Sequence, residues 1–341
     1  MEIGIMWQLR NPPAFERPPA DLYRDVLDEI VFAEELGVES AWVTEHHFCV
    51  DGYLPSVMPT LAAIAARTSK IRIGPYVLLA PLYHPLRLAE DAAVVDILSG
   101  GRLEMAIGSG YKADEFVGMG VDRHTRGRRT DEIVAIMLQA WSDGSVNFNG
   151  SIFSIEGVEV TPKPVQRPIP IYLGGVSRPV LERTARLGVT GVAGPPNPQD
   201  MEYFHEKLRA YERDPQTVDY LKFQFMWVDR DHERAQRVAR PYAEWVLGQY
   251  RNWLIEVDER NFKGTRYDVL EDHCIMGNPE YCIEQLEARL AIDAHAPGRR
   301  FVILPPLLGC DHFESMRMIE TLATEVNPHF RDDPIHNSTR P

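Results

Sequence analysis

Ala41-Trp42-Val43-Thr44-Glu45-His46-His47-Phe48 is the stretch whose reading decides the fold. Its first four residues form an apolar run that reads as a short buried strand. A carboxylate and two adjacent imidazoles follow where that strand opens into a loop. In a parallel barrel this edge is where chemistry takes place, and imidazole is the side chain that exchanges a proton near neutral pH. Neighbouring residues on an extended segment point to opposite sides. The two rings are therefore not read as ligands of one metal ion, and no H-x-H or H-x-x-x-H spacing accompanies them.

The same alternation of short β-branched runs and amphipathic stretches extends in both directions. Upstream, Ile3 to Met6 reads as a strand, and Leu22, Val26, Ile30, Ala33 and Leu36 recur at helical spacing with Gly37 placed to end the helix. Downstream comes a helix from about Ser56 to Ala66, then a strand from Ile71 to Leu79. Pro85 opens a helix that runs to Leu98 with Gly100 as its stop, and Leu103 to Ile107 is the next strand. Arg128 to Trp141 carries Ile133, Ile136, Met137 and Ala140 on one face. Val146 to Val160, with Asn149-Gly150 at its centre, breaks the rhythm as an inserted β-hairpin.

Strand and helix then resume as Ile169 to Leu173, Pro179 to Leu187, Val189 to Ala193, Gln199 to Tyr211 and Leu221 to Val228. A long helix and an aromatic-rich loop from Asp231 to Asp272 follow. A helix from Pro279 to Ile292, a strand from Phe301 to Leu304 and a helix from Met316 to Val326 complete the pattern. Eight strands at roughly thirty-residue spacing predict an α/β fold, a (β/α)8 TIM barrel. It carries a β-hairpin insertion and an extended loop/helix insertion before the last strand. A doubly wound sheet would announce itself with a glycine-rich turn after the first strand, whereas Trp7 to Pro13 contains no glycine.

The length of 341 residues suits such a barrel, and 44% hydrophobic with 25% charged residues is ordinary globular composition. No run approaches the roughly 20 apolar residues of a membrane span, and Met1 to Ile5 starts directly as a strand, without the features of a signal peptide. Cys49, Cys274, Cys282 and Cys310 are scattered, as expected of reduced thiols in a cytoplasmic protein. A net charge of −14 disfavours nucleic acid as a partner. The basic cluster Arg123 to Arg129 reads as a solvated helix start, or more sharply as a local anion or cofactor site.

Two glycine-bearing loops follow strands. Gly108-Ser109-Gly110-Tyr111-Lys112-Ala113 fits a loose dinucleotide pattern, but Gly118 and Gly120 interrupt the helix that pattern needs. Its glycines are read as letting the backbone approach a flat ring or a phosphate. Ile171-Tyr172-Leu173-Gly174-Gly175-Val176-Ser177 is a strand, two glycines and a hydroxyl at a helix start, which suits an anion. A plain helix cap by Ser177 is the alternative.

Taken in order, several separated segments resemble the bacterial luciferase-like, flavin-dependent monooxygenase family over roughly residues 1 to 330. They are Trp42 to Phe48, Pro81-Leu82-Tyr83-His84-Pro85, Leu98-Ser99-Gly100-Gly101-Arg102-Leu103, Gly108 to Tyr111, Pro162 to Gln166, Pro170 to Gly175 and Gly277-Asn278-Pro279-Glu280. The resemblance implies one TIM-barrel domain over 1–330 with a loose tail at 331–341. It implies reduced FMN delivered by a separate flavin reductase, reaction of the flavin with oxygen, and attack on a small apolar or carbonyl-bearing molecule. It also implies a homodimer.

His46 matches the catalytic histidine, and Tyr76-Val77 matches the position of a non-proline cis peptide beside the flavin. Gly108 and Ser109 align where the luciferase catalytic subunit has a cysteine and an arginine. Gly174, Gly175, Val176 and Ser177 match part of the phosphate site, with Val176 at a position that is acidic in luciferase. Trp7, Tyr111 and Trp227, with Trp253, are candidates for the substrate wall, and the loops at 111–125 and 250–272 shape the pocket. Two other readings are carried forward: a deazaflavin-dependent oxidoreductase transferring hydride, and a non-catalytic flavin-binding protein.

Overall fold

The computed structural model of the protein describes residues 1–257, 273–296, 298, 300–305 and 311–331. The apolar run ending at Val43 forms a wholly buried strand, β2 (Ser40–Val43), between β1 (Glu2–Trp7) and β3 (Arg72–Leu79). Pairing continues in parallel through β4 (Met105–Gly108), β7 (Ile171–Gly174), β8 (Gly191–Ala193), β9 (Asp219–Val228) and β11 (Arg300–Leu304), and β11 returns to β1. These eight strands close into a parallel barrel with helices between them, the TIM-barrel fold expected from the pattern. The skipped numbers belong to the hairpin, β5 (Val146–Asn149) with β6 (Ser154–Val158), and to β10 (Cys274–Gly277), which runs parallel to the last four residues of β9. The sequence rhythm does not reveal β10, because a four-residue run leaves no period to read.

The helices obey the signals that predicted them. Leu22, Val26, Ile30 and Ala33 form the buried stripe of α1 (Pro19–Glu35), and Gly37 takes φ +81° just beyond its end. After α2 (Val57–Arg67), α3 (Pro85–Ser99) starts on its proline and stops at Gly100 with φ +68°. A short α4 (Ala113–Gly118) precedes α5 (Arg126–Trp141), followed by α6 (Arg178–Leu187), α7 (Pro198–Ala210), α8 (His232–Val257) and α9 (Pro279–Ile292). The last helical stretch differs from expectation. α10 (His312–Thr321) passes through a π turn at Leu322–Val326 into α11 (Asn327–Arg331). Phe330 is buried there, and its carbonyl accepts the Met1 amine at 2.8 Å. Of the two stretches expected to be irregular, 258–272 and 332–341 lie outside the described residues.

Side chains alternate in and out of the barrel wall. Trp42 fills the interior, and the two strands that flank it are thinned to receive it. A Cβ on Gly4 would stand 3.2 Å from its Nε1, and one on Gly74 would stand 2.8 Å from its ring. Below it, at the N-terminal ends of the strands, charged groups seal the floor. Arg300 donates to Glu2 at 2.7 Å and to Glu104, Arg72 donates to Glu104 at 2.6 Å, and the Tyr172 hydroxyl donates to Asp219 at 3.1 Å. The hairpin is tied to the wall by one carboxylate. Glu132 of α5 accepts the Ser151 N–H and hydroxyl at 2.8 and 2.7 Å and the N–H groups of Ile152 and Phe153 at 3.0 and 2.9 Å. Burial pushes that carboxyl up, but these four donors outweigh it and hold its pKa below the usual range.

Candidate functional site

His46 lies three residues beyond β2, at the C-terminal mouth of the barrel, and is 6% exposed. Its backbone N–H donates to Leu54 O at 3.2 Å. Its Nδ1 is 2.8 Å from Glu115 Oε1 on α4, an oxygen that also accepts the His47 N–H at 2.9 Å. Glu115 is completely buried, and its other oxygen has no hydrogen-bond partner among the described residues. A carboxylate oxygen accepts, so Nδ1 faces Glu115 as the donor and Nε2 is turned the other way. The Tyr111 hydroxyl is 3.2 Å from that Nε2.

Aromatic rings surround His46: Trp253 at 4.8 Å, Tyr53 at 4.9 Å, Tyr111 at 5.5 Å and Tyr250 at 6.2 Å between centroids. The Tyr53 and Tyr250 hydroxyls are 2.8 Å apart, and Gln8 Nε2 donates to Tyr250 at 3.2 Å. Burial pushes the Tyr53 phenol up to about 12, against the pull of Arg10, whose guanidinium lies 4.6 Å from its ring centre. Arg10 in turn donates to Asp51 at 2.6 Å. Lys112 Nζ donates to His47 O at 3.0 Å and pairs with Asp114. His47 goes its own way, as alternation requires. Its Nε2 lies 3.3 Å from Glu45 Oε1, and Glu45 takes the Leu79 N–H at 2.5 Å and the Tyr83 hydroxyl. Glu45 thus pins the end of β2 to the end of β3.

The Tyr76–Val77 peptide is cis, as the resemblance implied, and the β3–β4 register shifts between Tyr76 and Leu78. Val77 is therefore an extra residue in the ladder, and its side chain turns onto β4 and β7. A Cβ on Gly108 would stand 2.7 Å from one Val77 methyl, and one on Gly174 would stand 2.9 Å from the other. Both glycines thus seat a valine. Across the mouth, Phe223 of β9 is 42% exposed although it sits on a barrel strand. Its ring is 5.8 Å from that of Tyr76, which is 5.9 Å from Trp42 and donates its hydroxyl to Leu221 O at 3.2 Å. Half-buried Tyr76 and Val77 and exposed Phe223 border an apolar opening above Trp42.

The remaining expected residues are scattered around this opening. Ser109 Oγ is 3.0 Å from Thr130 Oγ1, which itself donates to Arg126 O, so Ser109 is the donor of that pair. Gly175 has φ +114° and, like Ser177, is exposed. Ser177 stands at the N-cap position of α6 without a capping side-chain hydrogen bond, and its exposed hydroxyl lies at the start of a helix whose second residue, Pro179, has no N–H to offer. Val176 lies against Gly194. In the basic cluster, Arg129 donates to Pro81 O at 3.0 Å and covers the Phe153 ring, and Arg126 donates to Arg123 O. Both act locally.

Trp7 is placed elsewhere. Gly4 faces Trp42, so Met6 and Gln8 share that side of β1 and Trp7 takes the other. It is completely buried, and its indole donates to Glu29 of α1 at 2.9 Å. Gln8 reaches the mouth in its stead. Trp227 is buried at the end of β9 that pairs with β10, and its N–H has no acceptor among the described residues. Tyr111 and Trp253 do join His46. Sequence reasoning missed Glu115, Tyr53, Tyr250, Gln8 and Phe223.

A sequence model described as luciferase-like monooxygenase matches residues 1–294. The alkanal monooxygenase alpha chain of Photobacterium leiognathi is 22% identical, with 93% of this chain and 97% of that protein covered. The F420-dependent glucose-6-phosphate dehydrogenase of Amycolatopsis mediterranei is 28% identical, with 66% and 71% covered. For two further curated relatives, 35 and 30% identical, the match spans about half of their length. The crystal structure of the monooxygenase RslO1 from Streptomyces bottropensis superposes with a TM-score of 0.81 at 24% identity, covering 97% of this chain and all of that one. None of the described helices is long and apolar enough to cross a membrane. With the family model matched over most of the chain, which folds as a closed parallel barrel, the chain belongs to the luciferase-like monooxygenase family.

Proposed function

We propose that the protein is a flavin-dependent monooxygenase that takes reduced FMN from a separate reductase and oxidises a small apolar or carbonyl-bearing molecule in the cytoplasm. The observation that carries this reading is His46, fixed between Glu115 and Tyr111 beside an apolar opening at the barrel mouth. A flat tricyclic ring is expected to lie against the residues that border the opening. Val77 and Tyr76 would support one side and Phe223 would border the other. The N–H groups at Val176 to Arg178 and the Ser177 hydroxyl would suit the phosphate.

Reduced FMN, when bound, supplies the electrons with which oxygen is activated. The chain's own residues do the rest. Glu115 keeps His46 in one tautomer, and Nε2 takes up and returns a proton. Tyr53, Tyr250 and Trp253 close an apolar wall that keeps water from the reacting centre.

The likeness to an F420-dependent dehydrogenase favours a second reading, hydride transfer with a deazaflavin. Anaerobic titration of the purified protein with reduced FMN and with the deazaflavin separates the two. Tight FMN binding followed by substrate-dependent oxygen consumption is expected, and His46→Asn should lower that rate about 100-fold while FMN still binds. Tight binding of the deazaflavin with weak FMN binding would overturn the proposal. No turnover over a broad substrate panel would favour a non-catalytic flavin-binding protein.

A further inference from the structure

We propose that Glu29 and His312 form a proton-held latch that clamps the start of α10 onto α1 and β1, and that loss of its proton frees the end of β1 at the barrel mouth. Glu29 is completely buried within α1. One of its oxygens accepts the Trp7 indole N–H at 2.9 Å, and the other lies 3.2 Å from His312 Nδ1. Ser315, on the same helix as His312, adds a further hydrogen bond. Three elements thus meet on a single carboxylate.

The charge on His312 is contested. It is the first residue of α10, where the positive end of the helix dipole disfavours a cation. A buried carboxylate, in contrast, needs one. The hydrogen bond to Glu29 prevails and pushes the imidazole up, and burial pushes the Glu29 carboxyl up against the hydrogen bonds it accepts. On α1, Asp25 and Asp28 favour the imidazolium. Arg17 and Arg67 pair with those two aspartates, and Arg24 lies beside Asp25. On α10, Glu314 is held by Arg234 of α8, and the Asp311 side chain accepts the Glu314 N–H. β1 contributes the Trp7 indole.

Both shifts carry one sign, since the folded chain holds the proton of the pair more tightly than the unfolded chain does. The latch is therefore complete below about pH 6.5, the unfolded histidine value, and is lost as pH rises through the folded one. The proton leaves to solvent, and a buried carboxylate then faces a neutral ring. The effect reaches the mouth through β1. Trp7 is followed by Gln8, which donates to Tyr250 beside His46. Next comes Leu9, buried at φ +48°. That conformation is uncommon for a residue with a Cβ and persists only while its surroundings hold it.

The test is hydrogen exchange of the purified full chain without flavin between about pH 6 and pH 9, expressed as protection relative to free peptides. Protection across residues 3–9 and 312–321 is expected to fall about tenfold over that range, the effect of one pKa unit. His312→Gln, which can donate without titrating, and Glu29→Gln, which removes the buried charge, should each flatten the fall. His329→Gln, taken from the separate pair with Glu287, should keep it. Constant protection in the wild type, an undiminished fall in either latch variant, or loss of the fall in His329→Gln would overturn the latch. A fall confined to 312–321 would overturn its link to the mouth.

Discussion

At the scale of single residues, the mouth is organised by contacts that leave little slack. Val77 rests where side chains at positions 108 and 174 would otherwise stand. Gly108→Ala should push Val77 toward the ring site at a cost of about 1–3 kcal/mol. Fluorescence titration should show FMN binding at least tenfold weaker, and Val77→Ala in the same chain should restore it. FMN affinity unchanged in Gly108→Ala would show that the valine does not border the ring.

His46 was legible because the apolar run before it set the direction of the strand. Trp7 was not, because its burial says nothing about which side of β1 it takes. A single parity step sends it to Glu29 and sends Gln8 to the mouth. Glu115 was overlooked because its role depends on contact with a residue 69 positions away, and the glycines around α4 drew attention from the helix.

Among the elements, the β5–β6 hairpin shows how one carboxylate can dock an insertion. The Glu132 carboxyl has a depressed pKa when folded, so its contribution is present above the unfolded value of about 4.3 and fades as pH falls through the folded value. Limited proteolysis with an acid-active protease should therefore cut the hairpin faster at about pH 3 than at neutral pH. Glu132→Gln should be cut fast at both, with the pH difference greatly reduced. Equal cutting of wild type and variant at neutral pH would show that the tether does not restrain the hairpin. The hairpin itself was readable from Asn149-Gly150 between alternating runs. β10 was hidden by its length, and the break between α10 and α11 by the continuous apolar period that runs through it.

For the molecule as a whole, the barrel was visible in the spacing of its strands, while the charged floor beneath Trp42 was not, since its members are drawn from Glu2 to Arg300. Arg300 joins two carboxylates there. Arg300→Met should cost about 3–5 kcal/mol in urea unfolding, because Glu104 keeps only its half-exposed Arg72 partner. A loss below 1 kcal/mol would mean that water reaches the floor.

On the outer surface, Val94, Ile97 and Leu98 of α3 are 44, 40 and 52% exposed. The homodimer that the resemblance implies is expected to use this face, which light scattering can check. A dimeric mass for the wild type and a monomeric one for Leu98→Glu are expected, and a monomeric wild type would reject it.

The seam between β1 and β11 joins Glu2 to Arg300 in register. During synthesis the ribosome releases β1 first, and nearly three hundred residues must be made before its second neighbour exists. Until then the growing sheet carries two raw edges able to pair with any strand nearby. Nascent chains of this protein are accordingly expected to need chaperone protection until β11 has cleared the ribosome, with aggregation, not proteolysis, as the hazard of stalling.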